Sequence, residues 1–202
     1  MRTRNPQQQR SRTTKTRLLD AGERLIRRKG FHGTDSKEIA SQAGVAIGSF
    51  YAYFNDKKDL FVAVLNRYTE RIFSSVPDLP AEGLNADNGG RLIREYVWKV
   101  IRAHDLPELH RELFVVMGGD PDLNVLVERW QRESVRRLEI SLNSAAGRLR
   151  VRDTKTAAVL LHAVLEAAIQ RLTLYRVEVQ EERLMEELGD MFSRYLLSGG
   201  DV

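Results

Sequence analysis

Apolar residues recur along this chain at intervals of three and four, and no segment sustains an alternation of apolar and polar positions. That pattern predicts helices throughout, hence an all-α fold. Leu18, Ala21, Leu25 and Ile26 mark a first helix, with Thr13 or Thr14 as its cap and Gly30 as its stop after Arg27, Arg28 and Lys29. A short second helix opens at Asp35-Ser36-Lys37-Glu38, a near capping box, and ends at Gly44. A third covers 45–54, and Asn55 or Asp56 caps a fourth carrying Leu60, Phe61, Val64, Leu65 and Tyr68. The stretch 74–90 has the glycines, prolines and lost periodicity of a loop. Helical patterning resumes over 92–104, after Pro107, over 123–142, over 154–176 and over 181–197, with a basic connector at 147–153.

Two short helices around a glycine turn, with a longer helix able to pack behind them, make a helix-turn-helix in its three-helix setting. A helix that reads a DNA groove must show small or polar side chains outward and be anchored from behind. Phe50 and Phe54, four apart, share one face and can insert among Leu25, Ile39 and Leu60. Ala46, Gly48, Ser49, Ala52 and Tyr53 lie off that face, and the Tyr51 and Tyr53 hydroxyls suit phosphate contacts. Lys57, in the first turn of the fourth helix, is a further candidate for phosphate.

Charge sharpens this picture. Residues 1–58 hold 13 Lys/Arg against 5 Asp/Glu, while the remainder holds 19 against 23. The basic part fits a polyanion, although a solvated basic surface would look the same on charge alone. Apart from Met1 and Pro6, residues 1–12 are polar or basic and read as a mobile basic arm, whose Arg2, Arg4, Arg10 and Arg12 suit a DNA backbone or minor groove. The chain has no cysteine, which excludes disulfides, thiolate metal sites and cysteine nucleophiles. No unbroken apolar run, that at 157–161 included, is long enough for a bilayer, and residues 1–9 lack the apolar core of a secretory signal, so no membrane and a cytoplasmic location are expected.

Residues 15–65 resemble the DNA-binding domain of TetR-type (tetracycline-repressor-like) regulators. The matching residues are Leu18-Leu19-Asp20-Ala21, Gly30-Phe31, Ile39-Ala40, Ala43-Gly44-Val45, Gly48-Ser49-Phe50-Tyr51, Tyr53-Phe54, Lys57 and Leu60-Phe61. The resemblance implies that Ser36 and Lys37 touch phosphate, that Ala46, Ile47, Gly48 and Ser49 face base edges, and that Tyr51, Tyr53 and Lys57 clamp the backbone. The family often has Thr or Ser where Asp35 stands and a polar residue where Ala46 stands. With Ala46 and Ile47 leading, thymine methyls and DNA shape take more of the specificity.

Beyond residue 70 the resemblance fades. Between Ala157 and Ile169 only His162 and Glu166 are polar, so that helix needs cover on more than one side. The last helix offers a wide stripe of Leu184, Leu188, Met191, Phe192, Tyr195 and Leu196. The expectation is a homodimer through the last two helices, an arrangement the resemblance also implies, on a palindromic double-stranded operator. The resemblance further implies a cavity for a small, mostly apolar effector. Tyr96, Trp98, Phe114, Met117, Trp130 and His162 are its candidates, each more readily a core residue than a ligand contact, with Glu166 beside His162.

The polar line His162, Glu166, Gln170 and Thr173 reads as a hydrogen-bonded strip at the dimer seam or domain edge, as handles in a cavity, or as a metal pair. His104, Glu108, His110 and Glu112 read as solvated helix ends. The resulting expectation is a flexible arm at 1–12, a helix-turn-helix domain at 13–58 and an effector-binding and dimerisation domain at 59–202. It acts as a ligand-responsive repressor without a cofactor or metal. An activator or effector-independent regulator of the same fold stays open. A helical enzyme or metal-binding protein finds no His-Glu-x-x-His, Gly-x-Ser-x-Gly or phosphate loop to support it.

Overall fold

A computed structural model describes residues 6–79, 84, 88–175 and 179–197, with the backbone alone at 6–10 and 117. The described residues form helices and no strands. The helices are α1 (Pro6–Lys29), α2 (Ser36–Gln42), α3 (Ile47–Tyr51), α4 (Lys57–Ser75), α5 (Gly89–Ala103), α6 (Pro107–Met117), α7 (Pro121–Ser144), α8 (Thr154–Leu174) and α9 (Glu181–Leu196). A short 3₁₀ turn, Ala146–Arg148, lies in the connector before α8.

The chain divides into two compact units. The first comprises residues up to Thr69 together with Glu108–Leu123, and the second comprises Glu70–Pro107 and the rest. The sequence placed the division after residue 58. The units divide later because α4 keeps Leu60, Phe61, Val64, Leu65 and Tyr68 buried, and because α6 returns to the first unit with Leu109 buried.

In the first unit α1 starts earlier than its apolar pattern suggested. The expected caps, Thr13 and Thr14, lie inside the helix, and the expected arm is helical from Pro6. Proline suits a first helical position, since its φ is preset and its missing N–H costs nothing there, and Gln and Arg propagate a helix well. Arg2 and Arg4 lie outside the described residues, as does the side chain of Arg10. The helix does end as read: Gly30 adopts φ +77°, and its N–H donates to the Ile26 carbonyl at 2.8 Å. Gly22 brings α1 and α4 together, since a Cβ there would sit 2.4 Å from Leu60 Cδ2.

The second unit is built around Ile93, Val97 and Ile101 of α5, Leu138 and Leu142 of α7, Leu161 and Leu165 of α8, and Met185 and Phe192 of α9. Gly189 lets α9 approach α5 closely, because a Cβ on it would lie 3.0 Å from Arg94 Cα. Among the described residues α8 is the one helix long and apolar enough by length and mean hydropathy to cross a membrane, although His162 and Glu166 interrupt its apolar run. Its Ala157, Ala158, Leu161, Leu165, Ala168 and Ile169 are instead buried in this unit's core. The opposite face of α8 is apolar and uncovered, with Val159 and Leu160 48% and 49% exposed.

Candidate nucleic-acid interface

The α2–turn–α3 segment is held from behind. Asp35 caps α2 by accepting the Glu38 N–H at 2.9 Å, and that hydrogen bond draws its carboxyl below the ordinary aspartate value. The Glu38 side chain does not return to close a capping box; it pairs with Lys29 and Arg28 of α1. Gly44 makes the turn at φ +66°, and Arg17 reaches its carbonyl at 3.2 Å. Phe50 is fully buried and Phe54 nearly so, their rings 5.7 Å apart, and Leu25, Ile39 and Leu60 are buried with them. Truncating either phenylalanine to alanine would cost about 3–5 kcal/mol.

The outward side of α3 is the reverse. The helix spans only Ile47–Tyr51, shorter than the 45–54 expected, with Ala46 as its extended N-cap and Ala52 as its C-cap. Ala46 and Gly48 are exposed, Ile47 is partly so, and Ser49 is half-buried. Around Gly48 a Cβ would meet no heavy atom within 4 Å, so packing inside the protein does not demand a glycine there. Tyr51 is 58% exposed, while the Tyr53 hydroxyl donates to Ser11 Oγ at 3.0 Å. Ser36 opens α2 half-buried, and Lys37 beside it is exposed.

Lys57 sits differently from its expected backbone clamp. Its ammonium donates to the carbonyls of Phe31 at 3.0 Å and Thr34 at 2.9 Å, with the His32 carbonyl at 3.5 Å. It also lies 4.6 Å from the centre of the Phe31 ring. Three donors face three carbonyls, so Lys57 fastens the α1–α2 turn to the start of α4. A cation in the first turn opposes the helix dipole. That mismatch is offset by the three carbonyls, partners that the local sequence does not name.

Sequence reasoning missed the part α6 plays in holding this unit together. Glu112 accepts the Phe31 N–H at 2.7 Å, and Glu108 pairs with Arg27 at 3.3 Å. Lys58 bridges Asp120 at 2.7 Å and Asp122 at 2.8 Å, and these carboxylates push its pKa up to about 12. His110 is buried beside Phe114, their rings 5.1 Å apart. Glu112 and His110 are therefore not the solvated helix ends expected of them; the partner of Glu112 lies 81 residues away and leaves no local trace in sequence.

These features meet two matches to known families. Residues 18–64 match the model of bacterial regulatory proteins of the tetR family. Residues 91–196, just over half of the chain, match the model of the tetracyclin repressor-like C-terminal domain. The chain belongs to the TetR family. This TetR-family protein is accordingly a helix-turn-helix transcription regulator by family, its first unit matching the N-terminal model.

Among relatives, the transcriptional repressor NemR of Escherichia coli K12 is 36% identical over 70 residues, 35% of this chain and 35% of NemR. The fatty acid metabolism regulator protein of Bacillus subtilis 168 is 25% identical over 126 residues, 62% of this chain and 57% of the relative. The chain spans between 19% and 59% of the length of such curated relatives. Solved structures match more completely. A TetR transcription regulator of Haloarcula marismortui has a TM-score of 0.73 at 17% identity, over 92% of this chain and 98% of that one. A transcriptional regulator of Saccharomonospora viridis in complex with choline has a TM-score of 0.69 at 20% identity, again over 92% and 98%. The SmeT–triclosan complex has a TM-score of 0.66 at 20% identity, over 93% of each chain.

The effector candidates are only partly brought together. Phe114 belongs to the first unit and the Met117 side chain lies outside the described residues, whereas Tyr96, Trp98, Trp130, His162 and Glu166 belong to the second. Tyr96 is half-buried against that unit's core, and burial raises its pKa to about 12. Gln131 donates to the Glu166 carboxylate at 3.1 Å, and His162 Nε2 lies 3.3 Å from the same group. These three edge an open groove of about 600 Å³ between α7 and α8. Further along α8, Thr173 satisfies its hydroxyl on the Ile169 carbonyl at 2.8 Å. Among the described residues no three His, Cys, Asp or Glu side chains are grouped to hold a metal ion.

Proposed function

We propose that this TetR-family regulator is a repressor that binds a roughly palindromic operator as a homodimer and releases it when a small molecule occupies its second unit. The observation that carries the DNA-reading part is Gly48: exposed, unconstrained by its own protein, and mounted on a helix anchored by Phe50. A bare position on the outer face of a firmly held helix suits close approach to a duplex. On this reading Ala46, Ile47, Gly48 and Ser49 face base edges, and Ser36, Lys37, Tyr51 and Tyr53 meet phosphates. Lys57 acts at one remove, by setting the turn.

Repression is supported by the likeness to NemR, which is named a repressor. Release by a ligand is supported by structural neighbours solved with triclosan and with choline. Dimerisation is supported by the apolar face of α8 that Val159 and Leu160 leave uncovered. Two-fold symmetry then puts half-sites about one turn of DNA apart, ~34–36 Å, or a multiple of it.

The test is selection of bound fragments from genomic DNA, followed by gel shift on the enriched site. The expected site is an inverted repeat, bound less tightly as salt rises. Tyr51→Phe and Lys37→Gln should weaken binding to all sequences alike, while Ser49→Ala should change preference among them. Enrichment of no inverted repeat, or binding indifferent to all three changes, would refute the assignment.

A further inference from the structure

We infer that the second unit carries a surface site for a small planar aromatic carboxylate, centred on Trp98. This goes beyond the regulator reading and does not depend on it. An open groove of about 660 Å³ runs along α5, edged by Ser75 at the end of α4 and Glu186 of α9. Such a volume falls within the range of small-molecule sites, roughly 300–1,000 Å³.

Two features, which share Arg102, point to the ligand's chemistry. The first is charge. Residues 59–202 hold more acidic than basic side chains, 23 against 19, yet Arg91, Arg94, Lys99 and Arg102 gather along this one groove. Arg91 is neutralised by Glu95 at 2.6 Å and Arg94 by Asp190 at 2.9 Å. Lys99 and Arg102 are exposed, and among the described residues neither has a carboxylate within ion-pair distance. Set against Glu186, the lining carboxylate that no such pair engages, Lys99 and Arg102 leave one net positive charge for an anion.

The second feature is the platform. The Arg102 guanidinium lies 4.5 Å from the centre of the half-buried Trp98 ring. That indole already accepts one planar group on its face, and the groove beside it has an apolar floor completed by Ala103. A planar aromatic anion satisfies both features together. Its ring stacks on Trp98 or on the guanidinium plane, and its carboxylate meets Lys99 and Arg102. A bare inorganic anion would engage the cations but leave the platform unused; a neutral aromatic would do the reverse. Because the groove is open, the cations stay hydrated and affinity is modest, with a dissociation constant on the order of 0.1–1 mM.

The experiment uses the full chain, labelled with nitrogen-15. The sequence has two tryptophans, so two indole N–H signals are expected, and Trp130→Phe assigns the one from Trp98. Sodium benzoate should shift the Trp98 signal along a saturating curve and leave Trp130 in place, whereas benzamide and inorganic phosphate should not saturate. Lys99→Gln and Arg102→Gln, both at exposed positions, should each weaken benzoate about five-fold, the size of a modest exposed ion pair. No saturating shift, an equal response to benzamide or phosphate, or benzoate binding unchanged in both variants would overturn the site.

Discussion

Replacing Gly48 separates what folding needs from what the duplex needs. A Cβ at this position has open space around it, and Gly48 is not among the glycines held at positive φ. Neither a clash nor backbone strain opposes a side chain. In a helix interior glycine is less favourable than alanine by about 0.5–1 kcal/mol; α3 has only five residues, so the low end applies. Gly48→Ala should therefore stabilise the free protein by about 0.5 kcal/mol, a rise in Tm of roughly 1–2 °C for a chain of this size.

Binding should move the other way. A methyl where the helix approaches the bases displaces contacts of the kind worth about 1–3 kcal/mol each. Gly48→Ala should weaken operator binding about ten-fold, and Gly48→Leu a hundred-fold or more. Thermal melting by circular dichroism and fluorescence anisotropy on a labelled operator read the two effects from one preparation. Gly48→Leu binding DNA like the parent protein, or Gly48→Ala lowering stability by more than about 1 kcal/mol, would refute the reasoning.

Lys57→Met should cost about 1–3 kcal/mol in a denaturant titration, because it removes the ammonium donor from three turn carbonyls, of which that of Phe31 keeps the Thr34 N–H; Lys37→Met, at an exposed site, should leave stability unchanged. Burial holds the imidazoles of His104 and His162 below the ordinary value of 6.5, although the Val100 carbonyl and Glu166 respectively pull them back upward. Both side chains are thus neutral when folded, and the unfolded chain takes up protons first. Their contribution to stability is complete above pH 6.5 and lost as pH falls through their folded values, so the denaturant midpoint should drop over that window, and by less in His162→Gln. The Asp153 cap of α8, its carboxyl lowered chiefly by the Thr156 hydroxyl, adds a separate loss below pH 3.8. Leu160→Glu, on the uncovered face of α8, should give a monomer by sedimentation velocity and weaken operator binding along with it.

What could be read in the sequence was whatever depends on near neighbours. The cap at Asp35, the stop at Gly30 and the inward pair Phe50 and Phe54 each follow from residues within a turn or two, and each is found where expected. The start of α1 at Pro6 was hidden because a polar helix end shows no apolar period. The roles of Lys57 and Glu112 were hidden for another reason: their partners lie 23 to 81 residues away, and nothing in a linear pattern names them. The exposure of Ala46 and Gly48 was legible from their small size, whereas the Trp98 platform emerges only once α5 is seen beside α4 and α9.

The bond from the Phe31 amide to Glu112 bears on how such regulators can be recombined. A chimera cut at the edge of the matched N-terminal region, near residue 64, would carry away Arg27, the Phe31 amide and Lys58 while leaving behind Glu108, Glu112, Asp120 and Asp122. The transplanted part would bring its helix-turn-helix intact but lose the struts that brace it. A functional transplant needs two pieces, with residues 108–123 travelling alongside the first sixty-nine.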